Sequence, residues 1–421
     1  MPVKTCDFLV IGGGIIGLNL AIVAKQRYPR QRVVLLEKEK ACGHHASGRN
    51  SGVLHAGFYY THDSLKARFT REGNREMSDY CRERALRINR CGKLVVARNE
   101  QELSTLQELL NRGRRNGVEL QELSGDEARE IEPRASTFRK ALFSPSTSSV
   151  DPAEVMQSMI RDAQSLGVEI ETDMAYRRRE TDGLIHASRG KVAAGYVINA
   201  AGLHADTIAR DFGFSQDHRI LPFKGLYLYG SGNSGAIRTN IYPVPDLRNP
   251  FLGVHFTVAV DGRVKIGPTA VPAFWRENYG GFANFSLREM IEVIGLECGL
   301  FWRNESGFRR LARHELSKQF RSEMVKLASE LASGIALSDF RHWGKPGIRA
   351  QLYDLKARRL EMDFRHEGDD RSFHVLNAVS PAFTCSIPFS RYLFDQIEHK
   401  MSGARLHGDN RGGGRAMPVT P

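Results

Sequence analysis

Residues Asp7 to Gly17 read DFLVIGGGIIG, and the chain runs on as LNLAIVAKQRYPRQRVVLLEKE to Glu39. Phe8 to Ile11 is an apolar run of strand type. Gly12, Gly14 and Gly17 then fit G-x-G-x-x-G, Leu18 to Lys25 has helix-forming composition, and Arg32 to Leu36 is a second apolar run ending on Glu37. Gly12 permits a tight turn, Gly14 lets a pyrophosphate approach the backbone, and Gly17 lets helix and strand pack closely. The helix N-terminus turns its unpaired amides and positive dipole end toward the phosphates. Glycine is frequent here, 40 of 421 residues. Three at this spacing therefore arise by chance roughly 0.4 times per chain, and the glycines alone carry little. Strand, helix, second strand and terminal acid together predict a dinucleotide site. Glu37 stands where an acid takes ribose hydroxyls, which favours FAD or NAD over a 2′-phosphorylated cofactor.

The length of 421 residues predicts two domains. A hydrophobic fraction of 41% with 26% charged residues is that of an ordinary soluble protein. No window approaches the apolar length of a membrane span, and the N-terminal apolar run is broken at once by glycines, unlike a signal peptide. A cytoplasmic location is expected, or a peripheral one on the inner face of a membrane. Six cysteines without a C-x-x-C pair form neither a disulfide framework nor a zinc site. The fourteen histidines show no metal-ligand spacing, so no metal is expected. The net charge of +12 is spread mostly along helices that alternate acids with bases. That pattern suits a solvated surface first, attraction to anionic lipid second and nucleic acid last, since no aromatic-plus-basic module is present.

Beyond Glu37 lies a long polar loop, Ala41 to Tyr60, of the kind that is usually functional in compact domains. Helices are predicted over Leu65–Arg84, Glu100–Asn116 and Ala153–Leu166, with a short one in ELSGDEAREIEP. Strands are predicted over Cys91–Ala97, Val168–Ile170 and Tyr196–Asn199. Alternating strands and helices favour a parallel sheet with helices on its faces. From Ile220 the runs turn aromatic and β-rich, with a hairpin signal at Asp261-Gly262. Leu287–Glu330 reads as mostly helical, Gly347–Leu352 and Phe373–Leu376 as strands, and Arg391–Lys400 as a closing helix. The glycine-rich end reads as disordered.

The loop Ser47 to His55 combines small residues, which let a flat ring approach the backbone, with hydroxyl and amide groups for a pyrophosphate. His55 can act as a general base near neutral pH, although a lone histidine equally fits a structural or surface role. Asn199-Ala200-Ala201-Gly202 suits a second crossing of the cofactor over the sheet edge, or simply a tight turn. Lys345–Arg349 and Ser380–Thr384 are further small-residue loops. Arg349 could grip a carboxylate bidentately, or form a surface salt bridge.

These pieces resemble the FAD-dependent L-2-hydroxyglutarate dehydrogenase/oxidase family, within the D-amino-acid-oxidase-like flavoproteins. The resemblance runs from Asp7 to about Phe389. It is carried by DFLVIGGGIIG, SGRNSGVLHAGFYY, VINAAGLHAD, PFKGLYLY, IYPVPD with PFLGVHFT, IGPTAV, KPGIRAQL and HVLNAVSPAFTCSIP. It implies an α/β fold: a discontinuous Rossmann-like FAD-binding domain (1–90, 145–215 and 345–400), an antiparallel-β substrate domain (91–144 and 216–344) and a disordered tail (401–421). FAD contacts are expected from Gly12, Gly14, Ile15, Ile16, Gly17, Glu37 and Lys38. The loop would add Ser47, Asn50, Ser51, Gly52, Val53 and Leu54, and later segments Ala200, Ala201, Gly202, Arg349, Pro381, Ala382, Phe383 and Thr384. The implied reaction is hydride transfer from a 2-hydroxy acid, first of all L-2-hydroxyglutarate, to flavin N5, giving a 2-oxo acid. His55 would take the hydroxyl proton, Arg349 and His255 would lie near the carboxylates, and Lys224 could assist. A quinone or oxygen would take the electrons.

The chain departs from the family in three places. Lys224 stands where an arginine is usual and Leu226 where an acid is usual, Arg49 replaces a histidine in the pyrophosphate loop, and Ser390 replaces a glycine. If Lys224 and Leu226 line the pocket, the substrate need not be 2-hydroxyglutarate: a less polar hydroxy acid or an amine fits, and a flavin-dependent oxidase of amines, amino acids or a specialised metabolite on the same fold is the alternative. A non-catalytic flavin-containing binding protein is a further one.

Overall fold

The computed structural model describes residues 3–231, 237–247, 253–304 and 308–408. Pro250, Phe251 and Leu252 of PFLGVHFT lie outside the described residues, as does the chain after 408.

Strand β1 (Lys4–Ile11), helix α1 (Ile15–Arg27) and strand β2 (Val33–Leu36) form the opening unit. Val33 to Leu36 are buried without interruption, as expected of a strand covered on both faces. They sit in a parallel array ordered Glu169–Glu171, β2, β1, Gly190–Asn199, Ser372–Asn377. An antiparallel strand, Arg365–Gly368, flanks its far edge. Helix α1 is buried through most of its length, packed between the sheet and the helices Pro152–Ser165 and Ala382–Gly408. Gly17 explains how close this packing is: a Cβ there would come within 1.9 Å of the Gly12 carbonyl oxygen.

A second, eight-stranded sheet runs Phe340–Trp343, Leu228–Gly230, Val264–Gly267, His255–Val258, Asn240–Pro243, Lys93–Val96, Lys140–Ser144, Gln121–Ser124. All its neighbours are antiparallel except Asn240–Pro243 with Lys93–Val96. The Asp261-Gly262 turn joins His255–Val258 to Val264–Gly267, with Gly262 at φ +80. A smaller sheet pairs His218–Gly225 with Gly347–Asp354 and sets Phe223 opposite Arg349.

The closing helix differs from expectation. It begins at Ala382 and runs to Gly408 through Pro388, so Ala382, Phe383 and Thr384 open a helix instead of lying in a loop, and residues 401–408 prolong it. Proline inside a helix costs about 3 kcal/mol. Burial of Cys385, Phe389, Leu393, Phe394 and Ile397 in the main core offsets that cost.

Candidate active site

The ends of the parallel strands and the face of the second sheet enclose a cavity of about 500 Å³. Its walls include Ile11, Leu36, Ala200 to Gly202 and Val375 to Leu376, which are strand ends or the residues just after them, where open α/β sheets bind ligands.

One end of the cavity is backbone. Gly12, at φ +111, turns the chain so tightly that a Cβ would meet the Ala200 carbonyl oxygen at 2.5 Å. Gly14 precedes α1 without capping it by a side chain, and no acid occupies the first turn, so the helix keeps its positive end toward the cavity. The Ser47 hydroxyl accepts the Ile15 N–H at 2.9 Å. The Glu37 carboxylate accepts the N–H of Gly13 at 2.8 Å and of Glu39 at 2.9 Å, and burial pushes its carboxyl up. Lys38 lines the wall but is tied to Glu277 at 2.7 Å. His204, at 2.8 Å, also bonds Glu277. These partners hold the Glu277 carboxyl well below the usual range, against the opposing effect of its burial.

The connecting loop braces itself. Asn50 donates to the Ser47 carbonyl at 2.7 Å and accepts the Gly52 N–H at 2.8 Å. Val53 and Leu54 pair with Ser149 and Ser148. The Thr384 hydroxyl accepts the His55 N–H at 3.2 Å and donates to the Val53 carbonyl at 3.3 Å, joining the loop to the final helix. Lys265 donates to the Ser51 carbonyl at 2.9 Å.

The other end is made of side chains. His55, His255, Tyr227, Tyr242 and Arg349 all line it. Tyr242 and His255 stack at 3.6 Å and 17°. The Nδ1–H of His255 donates to the Gly253 carbonyl at 3.0 Å, leaving Nε2 as the atom it can offer. Burial, with the Arg349 cation adding to it, holds both imidazoles well below their ordinary range, so each is neutral at pH 7.

Of the residues predicted from sequence, Gly12, Gly14, Ile15, Ile16, Glu37, Lys38, Ser47, Asn50, Ser51, Val53, Ala200, Ala201, Gly202 and Pro381 to Thr384 line this cavity beside His55, His255 and Arg349. Gly17, Gly52 and Leu54 stand behind the wall. Lys224 is not brought to it: its ammonium donates to Asn278 Oδ1 at 3.0 Å, and Leu226 is not in the lining either. Sequence reasoning missed Tyr227 and Tyr242. It also missed Lys93, whose Nζ lies 3.3 Å from His55 Nδ1.

The glycine turn, the helix N-terminus and a cavity lined from Glu37 to His55 fit a dinucleotide. Comparison with known proteins names it. Residues 7–396 match the family model of FAD dependent oxidoreductases. The chain is 35% identical over 405 residues to the L-2-hydroxyglutarate dehydrogenase of Escherichia coli K12, covering 93% of each protein. It is likewise 35% identical over 416 residues to the mitochondrial L-2-hydroxyglutarate dehydrogenase of Homo sapiens, covering 94% of this chain and 89% of that one. Among solved structures, FAD-bound L-alpha-glycerophosphate oxidase from Mycoplasma pneumoniae superposes with a TM-score of 0.75 at 21% identity, over 94% of this chain and 95% of that one. Glycine oxidase from Geobacillus kaustophilus follows at 0.71 and 19%, over 94% and 96%. The chain therefore belongs to the FAD dependent oxidoreductase family, and FAD is the cofactor its glycine-lined cavity serves.

Proposed function

We propose that this protein oxidises L-2-hydroxyglutarate to 2-oxoglutarate. The observation that carries the reading is the meeting of His55, His255 and Arg349 at the far end of the cavity that starts at the glycine turn. The names of the relatives at 35% identity support the same substrate. The departures at Lys224 and Leu226, which would favour another substrate, fall outside the lining.

FAD would be held by the glycine turn, the α1 N-terminus, Glu37 and the Ser47–Val53 loop, and would supply the two-electron acceptor. The chain's own residues do the rest. Arg349 offers a planar fork to a carboxylate of the substrate. His55 is neutral because it is buried, with the Arg349 cation nearby, and so holds a lone pair ready for the C2 hydroxyl proton. His255 is also neutral; a dicarboxylate arriving beside it favours its protonated form, in which Nε2 donates to the carboxylate. The stacked Tyr242 fixes the plane of that ring. The proposed division assigns the parallel sheet to an FAD-binding part and the second, eight-stranded sheet to a substrate part.

A quinone or oxygen is proposed as the final electron acceptor, and an anionic membrane surface as the place where a quinone would be met. Among the described residues no helix is long and apolar enough to cross a membrane. The helix Leu287–Arg303 nevertheless exposes Leu287, Ile291, Cys298 and Trp302 along one side, beside the exposed cations Arg288 and Arg303. Its acids are partly buried, and burial pushes the Glu297 carboxyl up to about 8. An apolar stripe edged by arginine suits anionic headgroups. Co-sedimentation with phosphatidylglycerol vesicles should be lost on Ile291→Ser with Trp302→Ala; undiminished binding removes this face from the reading.

The activity itself is tested by turnover with an artificial electron acceptor. Formation of 2-oxoglutarate from the L-enantiomer alone is expected. Turnover of amino acids in its place would overturn the assignment.

A further inference from the structure

Lys93 has no role in the proposed reaction as described, yet it is fully buried and its Nζ lies 3.3 Å from His55 Nδ1. The strand pairing puts it there. Asn240 is opposite Lys93 in the parallel ladder, and the antiparallel register of Ile241 with Phe256 sets Tyr242 opposite His255. With a side-chain period of two, Lys93, Tyr242 and His255 share one face of the sheet. Nζ sits over the rings of Tyr242 at 4.4 Å, Tyr59 at 5.0 Å and Phe58 at 5.4 Å.

We propose that Lys93 is the proton-holding partner of His55: as an uncharged amine it accepts the Nδ1 proton of His55, and so leaves Nε2 bare for the substrate hydroxyl. The proposal rests on the reading of His55 as base and deepens it. An imidazole has one proton to place. If Lys93 is an ammonium it can only donate, Nδ1 must accept, and the proton is forced onto Nε2, where His55 cannot act as base. If Lys93 is an amine, Nδ1–H points to its lone pair and Nε2 is free.

The surroundings favour the amine before reaction. No carboxylate is among the groups acting on Lys93, and burial lowers its pKa from 10.5 to about 7. The titratable groups around the pair are His255 from its own strand, Tyr59, Tyr242 and the Cys91 thiol, with Arg349 as the permanent cation acting on both imidazoles. Burial pushes both phenols up, so they stay protonated and leave the exchange to His55 and Lys93. The ring faces then stabilise the ammonium once it forms.

The step balances. The substrate O–H bond breaks as Nε2–H forms, and Nδ1–H breaks as a third N–H forms on Nζ. The imidazole stays neutral and the charge ends on Lys93. The C2 hydrogen departs with two electrons to the flavin, and the C2–O bond becomes a carbonyl. Lys93 acts through His55 and is a positioning residue.

Two measurements on the holoenzyme test this. In ¹⁵N-histidine-labelled wild-type protein, assigned by comparison with His55→Gln, His55 should carry its proton on Nδ1 above pH ~7 and on Nε2 below it. A proton on Nε2 throughout would overturn the proposal. Anaerobic flavin reduction should fall about tenfold per pH unit below the same point. Lys93→Met should retain flavin, slow reduction by about 10²-fold and lose that inflection, while methylamine should partly restore the rate of Lys93→Ala. An unchanged pH profile in Lys93→Met would overturn it too. If Lys93→Met does not fold, the wild-type spectra still decide. If L-2-hydroxyglutarate fails to reduce the flavin, the substrate reading falls, and the tautomer measurement still judges the His55–Lys93 pair.

Discussion

At one end of the cavity the chain presents backbone: Gly12 at φ +111, the N-terminus of α1 and the Ala200–Gly202 turn. At the other it presents side chains: two buried neutral imidazoles, a stacked tyrosine, an arginine and a buried lysine. The first end is shaped by what cannot be there, since a single methyl group would strike a carbonyl. The second is shaped by what must be there, since each group does its work through a proton or a charge. Binding the cofactor and using it are therefore carried by different kinds of residue, and the two should fail separately under substitution.

The largest effect is expected at the backbone end. Gly12→Ala forces a side chain into a left-handed conformation, costing about 1–3 kcal/mol, and drives its Cβ to 2.5 Å from the Ala200 oxygen. The purified variant should be colourless; a yellow protein with normal melting would break the distinction. His55→Ala should do the opposite, keeping its flavin while anaerobic reduction slows by about 10²–10⁴-fold. If that variant loses flavin, the side-chain end also holds the cofactor. Arg349→Lys, which gives up the planar fork, should raise the substrate concentration for half-maximal reduction by about 10- to 100-fold. An unchanged concentration would mean that its partner is not the substrate. Lys224→Ala should change least, because Lys224 bonds Asn278 away from the lining. A large loss of reduction rate there would restore Lys224 to the pocket.

The same division governs what could be read from sequence. The glycine turn was legible because its requirements are local: the φ of Gly12 and the close packing at Gly17 admit no other residue at fixed spacing. His55 was legible as the end of a long loop, Arg349 as a fork for a carboxylate in a small-residue loop, and His255 through family resemblance. Lys93 was not, because CGKLVVA looks like any strand; its meaning comes from pairing with Asn240–Pro243 far along the chain. Tyr242 was hidden for the same reason. The final helix reads from sequence only over Arg391–Lys400; it starts at Ala382, and the burial of Phe389 and Leu393 carries it through Pro388.

The central claim, that this cavity holds FAD and delivers an L-2-hydroxyglutarate hydride to it, is tested most directly by anaerobic stopped-flow absorbance. The yellow protein should bleach rapidly with the L-enantiomer and stay oxidised with the D-enantiomer. Flavin that remains oxidised with both, or that bleaches only with an amine, would contradict it.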